Sequence, residues 1–522
     1  MKKYLLFLLT ILTIGFTSCT NETQKKTKLV SDAADSVLTM PYNKILKPAG
    51  QMIFFGDSAL ENHALDVALS PDHKTLAVEG RYSVVFVNTA DNKIVYRLVL
   101  RQFNKRNSMN TYSGIRWLVE NGKQYVLWST RNNVMKAEWN GQTAEIVKSY
   151  AFPPKKGVRS SIPNEMVIQK ENGKNYAYVV LNGNDEVAKI ELNTGKIVWQ
   201  KPVGMAPYGI TLAKGKLYVS NWSGSVPAAD DKNTAGIPWE KAKVDKFGSV
   251  SSGTVSILNP KTGKTLKEIN VGLHPNAIIT SPGQEFVYVS NGNDDNVSVI
   301  NTRTNKVSET ISVRLNPEKN PYFGDSPNGL ALGDKGQKLY VANGMDDALA
   351  VISLGEKASE HSKAENSKVI GFIPTAAYPA GIAINNNHTL YVADIEGIGA
   401  RLTSPNKNNP AYQTFIKQNG KRKPTAGAFN THRMLAVVSV IPVPDSAQLK
   451  QYTQTVIESN RQERLAMLKL LPRKGVAPVP VPKRIGEPSV FKHVIYIIKE
   501  NRTYDQILGD MKKGNGDPYL CT

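Results

Sequence analysis

The sequence predicts an all-β fold, a seven-bladed β-propeller, and two observations indicate it. Residues 276–311 read as four short strands, because runs of alternating apolar and polar residues are separated by turns rich in Gly, Asn, Asp and Pro. One such unit cannot bury both of its faces and needs copies of itself, and seven copies are present. Four-stranded repeats of about 40 to 50 residues are typical of β-propellers.

Seven anchor residues mark these copies, and most begin a motif of the type Tyr288-Val-Ser-Asn291. The longest spacing between consecutive anchors, 70 residues from Tyr218 to Tyr288, contains a polar insert at about 223–252. Without this insert the spacing has the length of a blade. Seven anchors therefore predict seven blades, within residues 49–444. The anchors are Leu76, Tyr125, Tyr178, Tyr218, Tyr288, Tyr340 and Tyr391, separated by 49, 53, 40, 70, 52 and 51 residues.

This pattern resembles the YVTN-type β-propeller repeat proteins over about residues 50–440. The resemblance lies in Tyr218 to Asn221, Tyr288 to Asn291 and Tyr340 to Asn343. Each is followed by a segment such as Val297 to Asn301 and then by a turn that contains Thr and Lys. The resemblance implies the propeller fold and little about activity, because propellers carry many functions.

Several predicted blades begin with a proline that is followed closely by Gly or Asn, as in Pro275-Asn276 and Pro327-Asn328. We predict that these residues set the entry into each innermost strand, near the central channel. On a functional interpretation, Asn276 and Asn328 are ligand contacts at the mouth of the channel. On a structural interpretation they belong to a turn that repeats with the fold, and turn chemistry favours this second reading.

The amino terminus reads as an export signal rather than as part of the propeller. Lys2 and Lys3 precede an apolar run, Tyr4 to Phe16, that is too short to be read as a membrane span. Residues 16–19 resemble a bacterial lipobox, which implies cleavage after residue 18 and a lipid on Cys19. An ordinary signal peptide is the alternative. We therefore expect residues 19–48 to tether an exported protein to a membrane of the bacterial cell envelope.

Composition adds three expectations. Of the 522 residues, 41% are hydrophobic and 21% charged, as in a folded globular protein. Cys521 is the second of two cysteines, so the mature chain has no internal disulfide framework. The formal charge of +21 becomes +19 when Lys2 and Lys3 leave with the signal. Because the lysines are scattered and no nucleic-acid motif is present, we expect a solvated basic surface and no nucleic-acid partner. We also expect a monomer.

The period of the sequence changes after Pro444. Asp445 and Ser446 can cap a helix, because the apolar residues that follow recur at helical spacing: Leu449, Tyr452, Val456, Leu465 and Leu468. Alternating prolines at residues 476–482 then predict a stiff, extended linker. We assign residues 445–488 to this helix and linker, where the propeller has ended.

Residues 489–522 begin with an apolar run, Phe491 to Ile498, which suits a strand buried on both faces of an α/β sheet. Lys499 follows it directly, and then come Glu500 and Asn501. Polar groups at the carboxyl end of such a strand are where open α/β sheets place their ligands. A carboxylate beside an amide offers oxygen ligands for a divalent metal. The bland alternative is a buried strand with a polar end and no chemistry.

Residues 492–505, with Gly509-Asp510 and residues 514–518, closely resemble the amino-terminal motif of the phosphoesterase family in the alkaline phosphatase superfamily. The resemblance covers about 30 residues and implies that Glu500 and Asn501 coordinate a catalytic divalent metal, which would stabilise phosphoryl oxygens under attack by a hydroxyl nucleophile. The nucleophile and the other metal ligands are expected beyond Thr522. The domain therefore reads as truncated, and we expect no phosphoesterase turnover from these 522 residues alone.

The sequence leaves three functions open. The first is the front end of a lipid-anchored, metal-dependent phosphoesterase that acts on a phosphate ester. The second is a binding propeller without catalysis, which takes an unknown envelope ligand. The third is a propeller lactonase, which would need a channel cluster of acids, His or Arg that spacing alone does not locate. The seven His residues form no closely spaced pair, so we expect no His-rich copper or zinc centre in the propeller.

Overall fold

Seven four-stranded antiparallel sheets follow one another around a ring in the computed structural model, which confirms the predicted seven-bladed β-propeller. Three short strands precede the first blade, namely β1 (Leu38–Thr39), β2 (Ile45–Leu46) and β3 (Gln51–Phe55). The structure describes residues 38–40, 44–56, 62–100, 109–237, 240–316, 324–355, 366–386, 388–399, 413–418, 421–426, 434–462, 470–497 and 504–514.

Blades 1 to 3 each use four consecutive strands. In blade 1 these are β4 (Ala64–Leu69), β5 (Thr75–Gly80), β6 (Ser83–Asn88) and β7 (Lys93–Val99). In blade 2 they are β8 (Arg116–Glu120), β9 (Lys123–Ser129), β10 (Asn133–Trp139) and β11 (Ala144–Ala151). In blade 3 they are β12 (Pro163–Glu171), β13 (Lys174–Leu181), β14 (Glu186–Glu191) and β15 (Ile197–Pro202).

Blade 4 is interrupted by a hairpin that lies in the polar insert. Its strands are β16 (Pro207–Ala213), β17 (Lys216–Asn221), β20 (Gly253–Leu258) and β21 (Thr265–Val271), and the hairpin is β18 (Thr234–Ile237) with β19 (Glu240–Lys243). Blade 5 contains β22 (Pro275–Thr280), β23 (Phe286–Asn291), β24 (Asn296–Asn301) and β25 (Lys306–Ser312). Blade 6 contains β26 (Pro327–Gly333), β27 (Lys338–Asn343), β28 (Ala348–Ser353) and β29 (Lys368–Pro374).

Blade 7 closes the ring by joining the two ends of the propeller. Its first three strands are β30 (Ala377–Asn385), β31 (Thr389–Gly397) and β34 (Ala436–Pro442), and a hairpin of β32 (Gln413–Gln418) and β33 (Lys421–Ala426) lies between the last two in sequence. The fourth, outermost strand is β3, in which Gln51 pairs with Val440 and Phe55 with Ala436. This closing strand was not predicted, because the pairing joins residues from opposite ends of the repeat series.

Every hydrophobic cluster of the propeller joins two adjacent blades. Five of the anchor tyrosines are buried and lie in the cluster shared with the next blade, which explains why this residue recurs: Tyr178, Tyr218, Tyr288, Tyr340 and Tyr391. Between blades 1 and 2, Phe86 stacks on Trp139 with ring centroids 4.3 Å apart. Large rings fill the wedge between twisted sheets and contribute much of its buried area.

Aspartates in the loops after the second strand fix the entry into the next blade. Asp185, Asp295 and Asp347 have left-handed φ angles of 55°, 49° and 53°. Their carboxylates accept hydrogen bonds from backbone N–H groups of the following connection, such as Asp185 Oδ1 from Ala206 N at 2.9 Å and Asp347 Oδ1 from Tyr378 N at 3.0 Å. A short polar side chain tolerates this backbone conformation and satisfies the turn that follows.

The helix predicted after the propeller is present as α1 (Ser446–Ser459). Asp445 is its N-cap, because Oδ1 accepts a hydrogen bond from Gln448 N at 2.8 Å, as predicted. The helix packs on β29, where the Thr453 hydroxyl oxygen accepts a hydrogen bond from Phe372 N at 2.9 Å. It therefore covers part of the exposed edge of blade 6. Leu465 and Leu468 lie outside the described residues.

Within the linker, Arg473 and Glu487 form a two-pronged ion pair at 2.7 and 2.9 Å.

The described residues that follow the linker are mostly exposed. Residues 491–497 carry no strand assignment, and the apolar side chains of residues 494–497 are 80% to 86% exposed. The burial predicted for this run is therefore not seen within the described chain. A five-residue helix, α2 (Tyr504–Leu508), follows, and neither described helix is long and apolar enough to cross a bilayer.

Candidate functional site in the central channel

A cavity of about 290 Å³ lies at the centre of the ring. The innermost strands of the seven blades are β4, β8, β12, β16, β22, β26 and β30, and each of them contributes lining residues. Because side chains from all seven blades converge here, the channel can form a site from residues that are far apart in the sequence. Binding sites are preferentially concave places of this kind.

The polar part of the cavity is an arginine between two acids. Arg116, on β8, pairs with Glu165 on β12 through Nη2 and Oε2, and its Nη1 lies 3.8 Å from Asp66 Oδ2 on β4. Asp66 is held by backbone donors, since Oδ1 accepts from Val67 N at 2.8 Å and Oδ2 from Gly114 N at 3.2 Å. Three adjacent blades thus hold one ion cluster in a fixed arrangement.

A second glutamate lies behind this cluster. Glu79 is opposite Asp66 in the β4–β5 ladder and is fully buried, and neither of its carboxyl oxygens has a hydrogen-bond partner in the part of the chain that the structure describes. Burial, together with the charges of Asp66 and Glu165, raises the pKa of Glu79 well above its usual value. Burial also raises the pKa of Glu165 to about 8, although Arg116 opposes the shift. The channel therefore favours protonated glutamates.

The apolar part of the cavity is a stack of three rings, which we call the aromatic wall: Tyr208, Trp222 and His274. Trp222 stacks on Tyr208 with centroids 4.7 Å apart and on His274 with centroids 4.6 Å apart, at interplanar angles of 22° and 18°. Tyr208 and His274 cannot both stack on the same face of the indole at these distances, so Trp222 lies between them. Burial lowers the pKa of His274, which favours the neutral imidazole.

The blade entries carry backbone strain that orients these side chains. Five residues that directly precede an entry proline have left-handed φ angles, although this position normally favours extended backbone. The carbonyl of His274 accepts a hydrogen bond from Gly292 N at 2.9 Å, and that of Ala206 accepts one from Trp222 N at 3.1 Å. The prediction that these prolines set the entry to the innermost strands is confirmed. The five residues are Ile162, Ala206, His274, Ser326 and Tyr378, with φ from 46° to 58°.

The predicted contacts Asn276 and Asn328 both line the cavity. Asn276 Nδ2 donates to Pro327 O and to Asn328 Oδ1, each at 3.1 Å, and Asn328 Nδ2 donates to Ser326 O at 3.1 Å. These bonds join the entries of blades 5 and 6, as the structural interpretation expects. A ligand contact by either amide stays a prediction. Cys19, Glu500 and Asn501 lie outside the described residues.

The residues that form the polar cluster were not among the predicted site residues, although the sequence carries a signal for two of them. Asp66 and Glu165 are each the third residue of an innermost strand, where β16 and β26 have Gly209 and Gly329. A Cβ on Gly329 would lie 1.9 Å from Ala380 O, so blade 6 leaves no room for a side chain at this position. An acid in place of this glycine therefore indicates a blade that has room for a side chain at the channel.

The arrangement can bind a small polar molecule and can exchange protons with it. Arg116 supplies several N–H donors, and the carboxyls of Asp66 and Glu165 supply acceptors. No group of three or more His, Cys, Asp or Glu side chains suited to a metal ion occurs among the described residues. The lactonase hypothesis required a channel cluster of acids, His or Arg, and Asp66, Arg116, Glu165 and His274 form one.

The chain is similar to some proteins of known structure at low sequence identity. No protein-family model matches the chain, and no curated protein matches it. Among solved structures, it is similar to the hydrazine synthase of Kuenenia stuttgartiensis, with 13% identity, a TM-score of 0.46 and coverage of 64% of this chain and 93% of that one. It is also similar to Hsv2 of Kluyvelomyces marxianus, with 12% identity, a TM-score of 0.40 and coverage of 64% and 89%.

Proposed function

We propose that this chain is the ligand-binding propeller module of an envelope-anchored, metal-dependent phosphoesterase. The ligand-binding role rests on one observation: the channel cavity combines the Asp66–Arg116–Glu165 cluster with the aromatic wall. Apolar walls with a few fixed polar groups are typical of small-molecule sites. A purely structural channel would have no need for an arginine and two acids in its accessible surface. Within this proposal, Asn276 and Asn328 border the ligand.

The phosphoesterase role rests on the motif after the linker and on one structural observation. The apolar residues 494–497 are at least 80% exposed and are separated by two residues from Glu500 and Asn501. Exposed apolar stretches of this kind mark surfaces that another element covers, and further strands of a phosphoesterase domain would cover this one. The carboxylate and the amide fit a hard divalent cation such as Mg²⁺ or Mn²⁺. When bound, such an ion supplies electrostatic stabilisation of phosphoryl oxygens.

The test of the phosphoesterase role starts with the coding sequence beyond codon 522. We expect the frame to continue into a domain with a hydroxyl nucleophile and further Asp or His ligands. The complete protein should hydrolyse p-nitrophenyl phosphate in a Mn²⁺-dependent way, and Glu500→Ala should abolish the activity. A stop after Thr522, with no companion frame that supplies the domain, removes the phosphoesterase role and leaves a binding propeller.

A lactonase is the second candidate, and the channel cluster favours it. In such a reaction water adds to the lactone carbonyl, the ring C–O bond breaks, and a proton passes to the leaving oxygen. Glu165 would move the proton and Arg116 would stabilise the negative charge on the carbonyl oxygen. A pH-stat assay with δ-gluconolactone tests this. Hydrolysis above the buffer rate that is lost in Glu165→Gln supports the lactonase, and a rate equal to that of buffer eliminates it.

A further inference from the structure

The charges of the channel cavity are balanced within the protein. Arg116 lies between Asp66 and Glu165, so an acid meets its positive charge on either side. Arg81 lies close to Glu79, so the two arginines of this region face three acids of the protein. A charged ligand would lose its hydration here without meeting an uncompensated counter-charge, which is costly in a buried site. The cavity therefore favours an uncharged ligand.

The same three groups stay available for hydrogen bonds. The side chain of Arg116 keeps 37% of its surface accessible, and those of Asp66 and Glu165 keep 11% and 12%. A guanidinium only donates, and an ionised carboxylate only accepts. A ligand that contacts this row needs groups that both donate and accept within a short distance. Hydroxyl groups do both.

The aromatic wall does not offer its indole faces to a cationic ligand. A quaternary or primary ammonium binds best over the free face of a Trp or Tyr ring. Tyr208 and His274 cover both faces of Trp222, so the indole does not offer a face to a cation. Its Nε1–H is buried and has no acceptor among the described residues. A ligand that brings an oxygen atom close to this edge would remove the cost of the unpaired donor.

The size of the cavity restricts the ligand further. A volume of about 290 Å³ lies at the lower end of small-molecule pockets, which begin at about 300 Å³. The seven innermost strands surround the cavity on all sides. It can therefore hold one or two sugar rings, but it cannot follow a long polymer.

We propose that the channel cavity binds a small neutral saccharide. Its hydroxyl groups hydrogen-bond Arg116, Asp66 and Glu165, and an apolar face of the sugar ring packs against the aromatic wall. The inference rests on the proposed ligand-binding role of the propeller and is independent of the phosphoesterase domain. A small neutral saccharide fits the charge balance, the row of donors and acceptors and the covered indole.

The first arm of the test compares sugars that differ mainly in charge. The purified full-length chain is titrated by calorimetry with N-acetylglucosamine, glucosamine and glucuronate, which are neutral, cationic and anionic at pH 7. Glucose, galactose, mannose and maltose widen the neutral set. We expect at least one neutral sugar to bind at least about tenfold more tightly than both charged sugars. Tighter binding of glucosamine or glucuronate than of every neutral sugar overturns the inference.

The second arm places the sugar in the channel. Trp222→Phe keeps an aromatic ring between Tyr208 and His274 but removes the indole N–H and half of the ring system. We expect it to weaken the binding of the neutral sugar about tenfold, which corresponds to the loss of about one hydrogen bond. Trp199→Phe is the matched control, because Trp199 lies on β15, the outermost strand of blade 3, where its Nε1 donates to Pro260 O. Binding that is equally strong in both variants places the sugar elsewhere and overturns the inference.

A third arm separates this inference from the proposed binding role. Wild-type chain and Trp222→Phe are screened by thermal shift against small amines, carboxylates and aromatic compounds. If no neutral sugar binds but another compound stabilises the wild type and not the variant, the saccharide is wrong and the channel is still a ligand site. If no compound of any class binds, both the saccharide and the binding role are overturned.

Discussion

Trp222 and His274 stack with their ring centroids 4.6 Å apart, although they belong to the connections of two different blades. Trp222 follows β17 of blade 4, and His274 precedes β22 of blade 5. Their contact joins two neighbouring blades at the channel, beside the Asp66–Arg116–Glu165 cluster. The channel is thus formed by contacts between neighbouring blades, and closure of the ring holds these blades together.

Ile53→Ala should destabilise the propeller through its closing strand. Ile53 is only 6% exposed, and it pairs with Val438 in the β3–β34 ladder. Truncating a buried isoleucine costs about 2 to 5 kcal/mol of unfolding free energy. Thermal and urea unfolding followed by circular dichroism would measure the loss. Val147→Ala, on the outermost strand of blade 2 and 49% exposed, is the control and should change stability by no more than about 0.5 kcal/mol. Equal effects of the two substitutions would argue against a closing role for β3.

Gly329→Ala should destabilise the inner ring. An added Cβ would lie 1.9 Å from Ala380 O in the neighbouring blade, so the two innermost strands would have to move apart. Overpacking of this kind typically costs about 1 to 3 kcal/mol. Gly324→Ala is the control, since a Cβ there meets no atom within 4 Å. A melting temperature that is the same for both variants would show that the strands yield without cost.

Stability should fall as the pH rises from about 5 to 8, in part because of Glu165. Burial raises the pKa of Glu165 from 4.5 to about 8 in the folded protein, so the folded state binds more protons than the unfolded state in this window. The stabilisation that protonated Glu165 contributes is fully present below the pKa of this group in the unfolded state. It is lost as the pH rises through the pKa of Glu165 in the folded state. Glu165→Gln keeps the protonated shape, and its melting temperature should decline less with pH than that of wild type.

Glu145→Gln serves as the control for this titration, because Glu145 is exposed on β11. Its pH profile should follow that of wild type. Asp66, Glu79 and Arg116 interact electrostatically with Glu165, so the profile reports the cluster rather than one isolated group. A Glu165→Gln profile that parallels wild type over the whole window would contradict the assignment.

Cys19→Ser should release the protein from the membrane. If a lipid on Cys19 is the anchor, fractionation should move the variant from the membrane to the soluble fraction, and labelled palmitate should no longer be incorporated. Cys521→Ser is the natural control, since the chain has two cysteines, and it should leave both readouts unchanged. A variant that stays in the membrane fraction without label would indicate a different anchor.

Regular features of the fold could be predicted because they repeat. Tyr218, Tyr288 and Tyr340 recur for one physical reason, the filling of the space between adjacent blades, and so their spacing was enough to count blades. Asp445 could be predicted as a helix cap because capping depends on residues only three positions apart. Local and periodic interactions leave a signal in a single sequence.

The closing strand and the polar cluster could not be predicted from spacing. Gln51 and Val440 pair across the whole length of the propeller, and no local pattern specifies that register. Asp66, Arg116 and Glu165 come together from three blades, so the cluster exists only once the ring has formed. Trp222 directly precedes the polar insert of blade 4, where the repeat pattern is interrupted. The candidate site therefore lies where the repeats differ from one another.

The most direct test of the account is a crystal structure of the full-length chain with the neutral sugar that binds most tightly. We expect density for one sugar in the central channel, with hydroxyl groups within hydrogen-bond distance of Arg116 and of Asp66 or Glu165, and with the sugar ring against the aromatic wall. A sugar bound on the outer surface of the propeller, while the channel holds only water, would contradict the account.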